Sequence, residues 1–600
     1  MATATADPKS KTPPPPRDHT REAVETIVFV VVLVLLLKLF VTEAFVIPTG
    51  SMAETLYGIQ KIITCGKCGH EFPMNAHDEV QGQQGSGRKL VAAGYCCPNC
   101  RYHGRVADLK PVPEPRTGDR VLVLKPIYHF NGTGRPARGD VVVFKFPRAP
   151  QEKWEAANYI KRCMAFGGET VGIHRGDLYA TTTLTYPPDA KDSSGNPLYP
   201  RPDDPNDLWR GGESTQTADF RYPNNEQAVE FFEKSRQAGF APGVGGFEIL
   251  RPTEEQLLAR ARVVWDNDHQ PPDLAGKTPP RWFTRPEATG KWNGDSPSQP
   301  KAFGHTADTL DFIRYQHLVW KREKKKDDAG KDLGDWQRTG EYWTWGDWRP
   351  NQTDPFETLT AGPVDNFLGY NDGLDVDPAT NLPHERRGNR SAQDTTWVGD
   401  LILECEADVQ AGAEVVLELS RGQSRFQARF AGGEVELVST GPAGKSFGKR
   451  PTKITGPGKY KLRFANVDAR LWVWVDGRRV DFGTDADYLP ASTVAAGQED
   501  KEGWTEENDV AAPASVGAKG GVTVRGLKLM RDIYYTRFGG HASGADLYYV
   551  QPGHYLCLGD NSAHSSDSRS WGVVPERLML GKAVFVFWPA WPHNRVGFIR

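Results

Sequence analysis

The stretch Gly118-Asp-Arg-Val-Leu-Val-Leu-Lys125 places turn residues before an alternating apolar run, and Arg138-Gly-Asp-Val-Val-Val-Phe144 repeats the pattern. Gly and Asp favour the turn that precedes a strand, and Val, Leu and Phe favour the strand itself. Similar short runs recur later in the chain, at Leu401–Cys405, Val415–Leu419, Phe426–Phe430, Tyr460–Phe464 and Leu471–Val475. The sequence therefore predicts a mainly β protein in which residues 395–531 form a β-sandwich.

An apolar segment runs from Ala23 to Val46, ahead of these strands. About 20 helical residues cross a bilayer, whereas the apolar region of a secretory signal peptide is usually about 7 to 15 residues and ends at a small-residue cleavage site. Because the segment continues directly into Phe45-Val-Ile-Pro48, we expect an uncleaved single transmembrane helix over residues 23–46. Basic residues slightly outnumber acidic residues in residues 1–22, so the positive-inside tendency predicts a cytoplasmic N-terminus.

Ser51 follows Val46 by five residues, which keeps it within about 17 Å of the end of the expected span even in an extended chain. Serine becomes nucleophilic when a neighbouring base takes its proton, and lysine can be that base if burial lowers its pKa. Lys161, in Tyr159-Ile-Lys-Arg162, is the candidate. A serine in such a turn and a lysine on a strand are each common structural features, and the order of the motifs after the apolar segment favours the catalytic interpretation.

The length and the net charge of the chain limit the number of domains and the kinds of partner that we expect. A chain of 600 residues predicts three or four domains, and a formal net charge of -3 gives no electrostatic reason to expect nucleic-acid binding. We divide the sequence into a cytoplasmic tail (1–22), a transmembrane helix (23–46), a catalytic core in three pieces (47–60, 117–178 and 540–600), a cysteine-containing insertion (61–116), an insertion of unassigned fold (179–394) and the β-sandwich (395–531).

The motifs together resemble the type I signal peptidases, which are membrane-bound serine-lysine enzymes. The resemblance rests on four blocks, Ile47–Leu56, Gly118–Phe144, Tyr159–Val171 and Gly559–Pro575. It implies a Ser51 nucleophile and a Lys161 general base that remove signal peptides from membrane-tethered preproteins at Ala-x-Ala-like sites. No cofactor is expected for this chemistry. For a bacterium, it implies a location in the plasma membrane with the catalytic domain on the outer side.

The same resemblance assigns supporting roles. The hydroxyl of Thr49, where many members carry Ser, would join the Ser51 N–H in the oxyanion hole, since either hydroxyl can donate a hydrogen bond. Ser565 would position the lysine amine. Asp567 and Arg569 would brace the site as an ion pair.

Two Cys-x-x-Cys motifs, Cys65-Gly-Lys-Cys68 and Cys97-Pro-Asn-Cys100, interrupt the family pattern between Leu56 and Gly118. This spacing lets each pair of thiolates reach one tetrahedral zinc ion, so the insertion resembles a zinc ribbon with a structural metal. Disulfides in an oxidising compartment or a redox pair are the alternatives. Cys96 is left over.

The β-sandwich loosely resembles lectin-like jelly rolls, with Val473–Arg478 as its most typical piece. No paired carboxylates suggest a glycosidase site in it. The sandwich is therefore expected either to bind a glycan or protein ligand or to act as a spacer. Two rival functions remain open alongside the peptidase: a membrane-anchored binding scaffold built on an inactive core, and a specialised processing protease with few substrates.

Overall fold

The computed structural model describes most of the chain in fifteen stretches. They are residues 19–83, 87–130, 134–146, 157–184, 225–286, 291–322, 336–339, 342–345, 357–380, 383–385, 396–441, 444–490, 503–536, 547–590 and 595–600. The architecture of these stretches is mainly β, as the sequence predicted.

The segments expected to form the catalytic core contribute to an eight-stranded antiparallel sheet assembled from both ends of the chain. In spatial order its strands are Thr42–Val46, Arg120–Leu124, Met579–Trp588, Val141–Phe146, Ala157–Phe166, His554–Leu558 and Val574–Pro575, with Gly597–Phe598 paired to Met579–Trp588. A four-stranded sheet accompanies it, in the order Glu248–Ile249, Asp177–Thr181, Thr170–His174 and Leu547–Tyr549. The two apolar runs that opened the sequence analysis are therefore both strands of the larger sheet.

The second large unit is a sandwich of two antiparallel sheets. One contains Trp292–Gly294, Ala302–His305, Val522–Arg531, Leu401–Val409, Gly458–Val467, Arg470–Val475 and Arg478–Val480, with Arg262–Asp266 paired to Val522–Arg531. The other contains Trp282–Thr284, Asp311–Tyr315, Ala514–Lys519, Glu414–Arg421, Ser424–Ala431, Glu434–Thr440 and Lys445–Pro451. Alternate side chains of these strands, such as Leu417, Phe464 and Val516, are fully buried and form one apolar core.

Residues 262–315 extend the sandwich beyond the boundary drawn from sequence. Arg262–Asp266 and Ala302–His305 pair with Val522–Arg531, and Asp311–Tyr315 pairs with Ala514–Lys519. Two further strands, Trp292–Gly294 and Trp282–Thr284, pair with Ala302–His305 and Asp311–Tyr315 in turn. The sequence alone assigns them to the insertion of unassigned fold, because this Pro- and Gly-rich region shows few regular strand patterns. Long-range pairing supplies the backbone hydrogen bonds that their local pattern could not reveal.

Small sheets complete the described part of the chain. They pair Gln60–Thr64 with Glu71–Asn75, Gly94–Cys96 with His103–Arg105, Leu374–Val376 with both Val91–Ala92 and Pro383–Glu385, Leu318–Arg322 with Glu357–Ala361, and Trp336–Thr339 with Tyr342–Trp345.

The helices are few among the described residues. The α-helices are His19–Leu36, His77–Val80, Ile127–Phe130, Asn225–Gln237, Glu254–Arg260 and Ser568–Trp571, and π-helical turns lie at Leu37–Val41 and Glu506–Val510. Glu254–Arg260 begins at a capping box, since the Thr253 side chain accepts from the Gln256 N–H and the Gln256 side chain accepts from the Thr253 N–H.

The helix expected over residues 23–46 has other bounds in the structure. The α-helix ends at Leu36, and Thr42–Val46 form a strand paired in register with Arg120–Leu124. Within the described ranges, no helix combines the length and the apolar character needed to cross a bilayer. Apolar and β-branched residues suit a strand as well as a membrane helix, and the partner strand decides between them. Most of the expected cytoplasmic tail, residues 1–18, lies outside the described ranges.

Candidate active site

Ser51 and Lys161, which are 110 positions apart in the chain, meet where the turn that carries Ser51 approaches the strand Ala157–Phe166 of the core sheet. The Lys161 Nζ donates to Ser51 Oγ at 2.7 Å and to the carbonyl of Ile160 at 3.0 Å. Lys161 lies in the strand Ala157–Phe166, where it pairs with Val142 on one neighbouring strand. The structure therefore brings together the two residues that the sequence singled out as nucleophile and base.

Ser51 is held by a compact turn, residues 49–56, which we call the nucleophile turn. Its backbone is closed by hydrogen bonds from the Ala53 N–H to the Gly50 carbonyl at 3.0 Å and from the Leu56 N–H to the Met52 carbonyl at 2.8 Å. The side chains of Met52 and Leu56 are fully buried in the apolar core beneath the turn. Burial on both sides of Ser51 fixes its position while its own side chain stays partly accessible.

Burial also changes the acid-base chemistry of Lys161. Its side chain is 3% exposed, and the loss of hydration disfavours the ammonium form. This desolvation outweighs the opposing influence of the Asp567 carboxylate and lowers the pKa of Lys161 from 10.5 to about 8. A lysine with this pKa is available as a neutral amine near physiological pH, as a general base requires.

Thr49 lies at the start of the nucleophile turn and is exposed. Within the described ranges, neither its hydroxyl nor the Ser51 N–H has a hydrogen-bond partner. Both groups thus remain available to a substrate, as the predicted oxyanion role requires.

The predicted ion pair between Asp567 and Arg569 is present and buried. Arg569 donates through Nε to Asp567 Oδ1 at 2.8 Å and through Nη2 to Oδ2 at 2.6 Å. Asp567 Oδ2 also accepts from the Gly559 N–H at 2.9 Å, and the opposite charge of Arg569 holds the pKa of Asp567 below its usual value. The pair therefore anchors the loop that follows the strand His554–Leu558.

Ser565 does not contact the lysine amine by any hydrogen bond in the structure. Its Oγ is buried and has no hydrogen-bond partner among the described residues. A Cβ added to Gly559 would meet this Oγ at 2.0 Å and the Ser51 carbonyl at 2.6 Å, so Ser565 lies close to the nucleophile turn. The predicted role of Ser565 stays a prediction.

Sequence reasoning assigned no role to Arg162 and Asp560, although both lie inside quoted motifs. The two side chains are fully buried, and Arg162 donates through Nε and Nη2 to the two carboxylate oxygens of Asp560 at 2.8 and 2.6 Å. Asp560 Oδ2 also accepts from the Thr55 hydroxyl at 2.6 Å. This network ties the lysine strand, the 559–561 loop and the nucleophile turn together. The charged residue next to Lys161 was the available signal, because buried charges are almost always paired.

An inserted segment also reaches the candidate site. The side chains of Asn371 and Asn561 exchange hydrogen bonds of 2.6 and 2.7 Å, and Asn561 Nδ2 donates to the Gly50 carbonyl at 2.9 Å. The Asn561 N–H donates to the Ser51 carbonyl at 3.1 Å. Asn371 falls in the region of unassigned fold, and no motif in the sequence marks it.

The four predicted metal-ligating cysteines are also brought together, away from Ser51. The Sγ atoms of Cys65, Cys68, Cys97 and Cys100 all lie within 4.8 Å of one another, and these cysteines form no disulfide. Cys96 stands outside this cluster.

A family model described as "Signal peptidase, peptidase S26" matches residues 110–231 and 487–588. These segments contain Lys161, Ser565, Asp567 and Arg569 but begin after the nucleophile turn. Among curated proteins, signal peptidase I of Buchnera aphidicola (subsp. Baizongia pistaciae) is 41% identical over 58 residues, which is 10% of this chain and 17% of the relative. Signal peptidase I of Leptolyngbya laminosa is 49% identical over 43 residues, 7% of this chain and 20% of the relative. Signal peptidase I of Aquifex aeolicus is 33% identical over 84 residues, 14% of this chain and 26% of the relative.

The matched segments thus span about a sixth to a quarter of these three relatives. Similar solved structures include sheep galectin-11 in complex with glycerol, with 13% identity, a TM-score of 0.17 and coverage of 22% of this chain and 92% of that one. Another is the carbohydrate-binding module CBM66 from Bacillus subtilis, with 12% identity, a TM-score of 0.14 and coverage of 36% and 92%. At these TM-scores, the sandwich is described by its own strand pairing alone.

Proposed function

Because this chain is a relative of the type I signal peptidases, we propose that it is a serine endopeptidase that removes signal peptides from exported preproteins. The observation that carries the proposal is the 2.7 Å contact between Lys161 Nζ and Ser51 Oγ, made by a buried lysine whose pKa is lowered to about 8. A scaffold without catalytic activity would have no use for this costly burial of an amine.

In the proposed reaction, neutral Lys161 accepts the hydroxyl proton of Ser51 while Oγ attacks the scissile carbonyl carbon. The carbonyl oxygen then carries the negative charge of the tetrahedral intermediate. The N–H of Ser51 and the hydroxyl of Thr49 are the available donors, and one such donor contributes about 3 kcal/mol to transition-state stability in other hydrolases. The lysine ammonium returns the proton to the leaving amine, which leaves an acyl-enzyme on Ser51. Lys161 then takes a proton from water for deacylation.

We also propose that the substrate is a membrane-tethered preprotein with an Ala-x-Ala-like site. The helix His19–Leu36 supports contact with a lipid bilayer, because its apolar side chains are open to solvent, with Ile27 63% and Phe29 65% exposed. Exposed apolar surface of this kind marks interaction sites. The strand Thr42–Val46 connects this helix to the nucleophile turn. A glycan or protein ligand of the sandwich stays a prediction.

The test is cleavage of a purified preprotein with an Ala-x-Ala site by the detergent-solubilised full chain, with sequencing of the new N-terminus. Ser51→Ala and Lys161→Met should each abolish cleavage. Lys582→Met is the matched control, since Lys582 lies on the same sheet and forms a 2.6 Å ion pair with Asp140 in which both side chains are partly buried. It should cleave at the wild-type rate.

Circular dichroism would establish that every variant is folded. Cleavage retained in Ser51→Ala or Lys161→Met would refute the catalytic roles. A folded wild type that leaves the preprotein intact would favour the binding scaffold, and cleavage of only a few partner proteins would favour the specialised processing protease.

A further inference from the structure

The two Cys-x-x-Cys motifs occupy equivalent positions in two similar hairpins. The first hairpin pairs Gln60–Thr64 with Glu71–Asn75, and the second pairs Gly94–Cys96 with His103–Arg105. Each motif forms the loop at the tip of its hairpin. The resulting pair of loops face each other, and all four cysteines are buried.

The local backbone of the two loops is also the same. In the first, the Gly69 N–H donates to the Cys65 carbonyl at 3.0 Å, and in the second the Arg101 N–H donates to the Cys97 carbonyl at 2.9 Å. The residue after the second cysteine has a positive φ in both, 72° at Gly69 and 61° at Arg101. A non-glycine residue is strained in this conformation. Two loops with one geometry therefore present their thiols in the same way.

The sulfur positions fit one tetrahedral ion. Sγ of Cys65 lies 3.7 Å from Sγ of Cys100, and Sγ of Cys68 lies 3.6 Å from Sγ of Cys97. Four ligands about 2.3 Å from a zinc ion are about 3.8 Å apart in tetrahedral geometry. A disulfide requires sulfur atoms about 2.05 Å apart, which these pairs do not approach.

The Asn99 side-chain amide lies beside the four sulfur atoms, where it can stabilise the negative charge of a zinc ion bound by four thiolates. Asn99 is fully buried and its Nδ2 lies 3.9 Å from Cys68 Sγ, within reach of a weak hydrogen bond to sulfur. The Asn99 amide also holds the sandwich, since its Oδ1 accepts from the Asp266 N–H at 2.6 Å and its Nδ2 donates to the His269 carbonyl at 2.7 Å. Such contacts orient metal ligands and tune their charge.

We propose that Cys65, Cys68, Cys97 and Cys100 bind one structural zinc ion that fastens the inserted hairpins to the sandwich. The four cysteines pack in the same apolar cluster as sandwich residues such as Trp265. Met52 and Leu56 of the nucleophile turn pack in a different apolar cluster. The zinc proposal therefore does not depend on the proposed Ser-Lys chemistry.

The second hairpin also contacts the segment that carries Asn371. The Cys96 N–H donates to the Asp372 carbonyl at 3.3 Å, and a Cβ added to Gly369 would meet Pro98 at 2.8 Å. The chain then continues from Gly369 to Asn371, whose amide pairs with Asn561 next to Ser51.

The experiment measures metal content and coordination in the full chain. Wild type purified without chelator should contain one zinc per chain by elemental mass spectrometry. Replacement of zinc by Co²⁺ should produce the thiolate-to-cobalt charge-transfer absorption of a tetrahedral sulfur site. Cys68→Ser and Cys97→Ser should each lose this absorption.

Cys405→Ala is the matched control, because Cys405 is also buried in the sandwich core but is not among the four cysteines whose sulfur atoms lie together. It should keep one zinc and the cobalt spectrum. Cys96→Ser should also keep them, and loss in this variant would instead place a ligand at the neighbouring group of Cys96, His103 and Asp372.

A measurement on wild type covers the case in which the serine variants do not fold. Titration of the thiols with a mercurial reagent should release one zinc as four thiols react. Intact-protein mass spectrometry that shows two disulfides and no metal would overturn the proposal. Zinc content unchanged in folded Cys68→Ser and Cys97→Ser would overturn it as well.

Discussion

The lowered pKa of Lys161 predicts the pH dependence of cleavage. If neutral Lys161 is the base, kcat/KM should follow the fraction of enzyme in which this amine has lost its proton. With a pKa of about 8, that fraction is about one tenth at pH 7, one half at pH 8 and nine tenths at pH 9. The rate should therefore rise about tenfold between pH 7 and pH 9 and then level off.

An unburied lysine predicts a different profile. With the ordinary value of 10.5, the neutral fraction at pH 7 is about 0.03%, and the rate would still climb about tenfold per pH unit at pH 9. The plateau above pH 9 thus separates the two cases more clearly than the absolute rate does. Burial raises the amount of active base at pH 7 by a factor of about 300.

The assay is kcat/KM for a soluble peptide with an Ala-x-Ala site and no group that titrates between pH 6 and pH 10, measured across that range with enzyme stability checked at each pH. The Asp567→Asn variant tests the direction in which the midpoint of the pH profile moves. The Asp567 charge favours the ammonium form of Lys161, so its removal should move the midpoint below 8. A midpoint near 10.5, or a midpoint that rises in Asp567→Asn, would refute the reasoning.

Three further changes test other parts of the site. Lys161→Met should raise the free energy of unfolding by up to about 3 kcal/mol below pH 8, where Lys161 is protonated in both states and burial of its ammonium group costs stability. This gain should shrink as the pH rises from 8 toward 10.5, because the folded state loses the proton first and the unfolded state loses it later; equal denaturant midpoints at pH 7 would contradict this. Asp560→Asn should lower the free energy of unfolding by about 3 to 5 kcal/mol, since it leaves the fully buried Arg162 charge uncompensated, and a loss under 1 kcal/mol in urea denaturation would argue against that burial. Gly50→Ala should reduce kcat/KM at least tenfold with an unfolding cost of about 1 to 3 kcal/mol, because the new Cβ would lie 2.2 Å from the Tyr370 ring, and wild-type kinetics would show that this contact does not position the nucleophile turn.

The chemistry of the site was readable from local sequence wherever a residue type and its spacing carry the signal. Ser51 and Lys161 were found because only a few side chains can act as nucleophile or base, and both stood in recognisable surroundings. The cysteine loops were found because two thiols separated by two residues can reach one ion. Alternating apolar residues at Leu471–Val475 predicted a strand that the structure contains.

Where local patterns failed, two structures were compatible with the same residues. Thr42–Val46 is apolar enough to continue a helix and β-branched enough to form a strand, and its pairing with Arg120–Leu124 decides the outcome. Arg262–Asp266 is too short to predict alone and becomes part of the sandwich only beside Val522–Arg531.

The sequence by itself determined which groups can perform proton transfer or bind a metal, because that property belongs to the side chain and its immediate neighbours. Tertiary structure decided which of these groups meet. It placed Lys161 Nζ 2.7 Å from Ser51, paired Arg162 with Asp560 and brought Asn371 to the nucleophile turn. It also set the pKa of Lys161, since burial depends on segments that are hundreds of residues apart in the chain and pack together only in the fold.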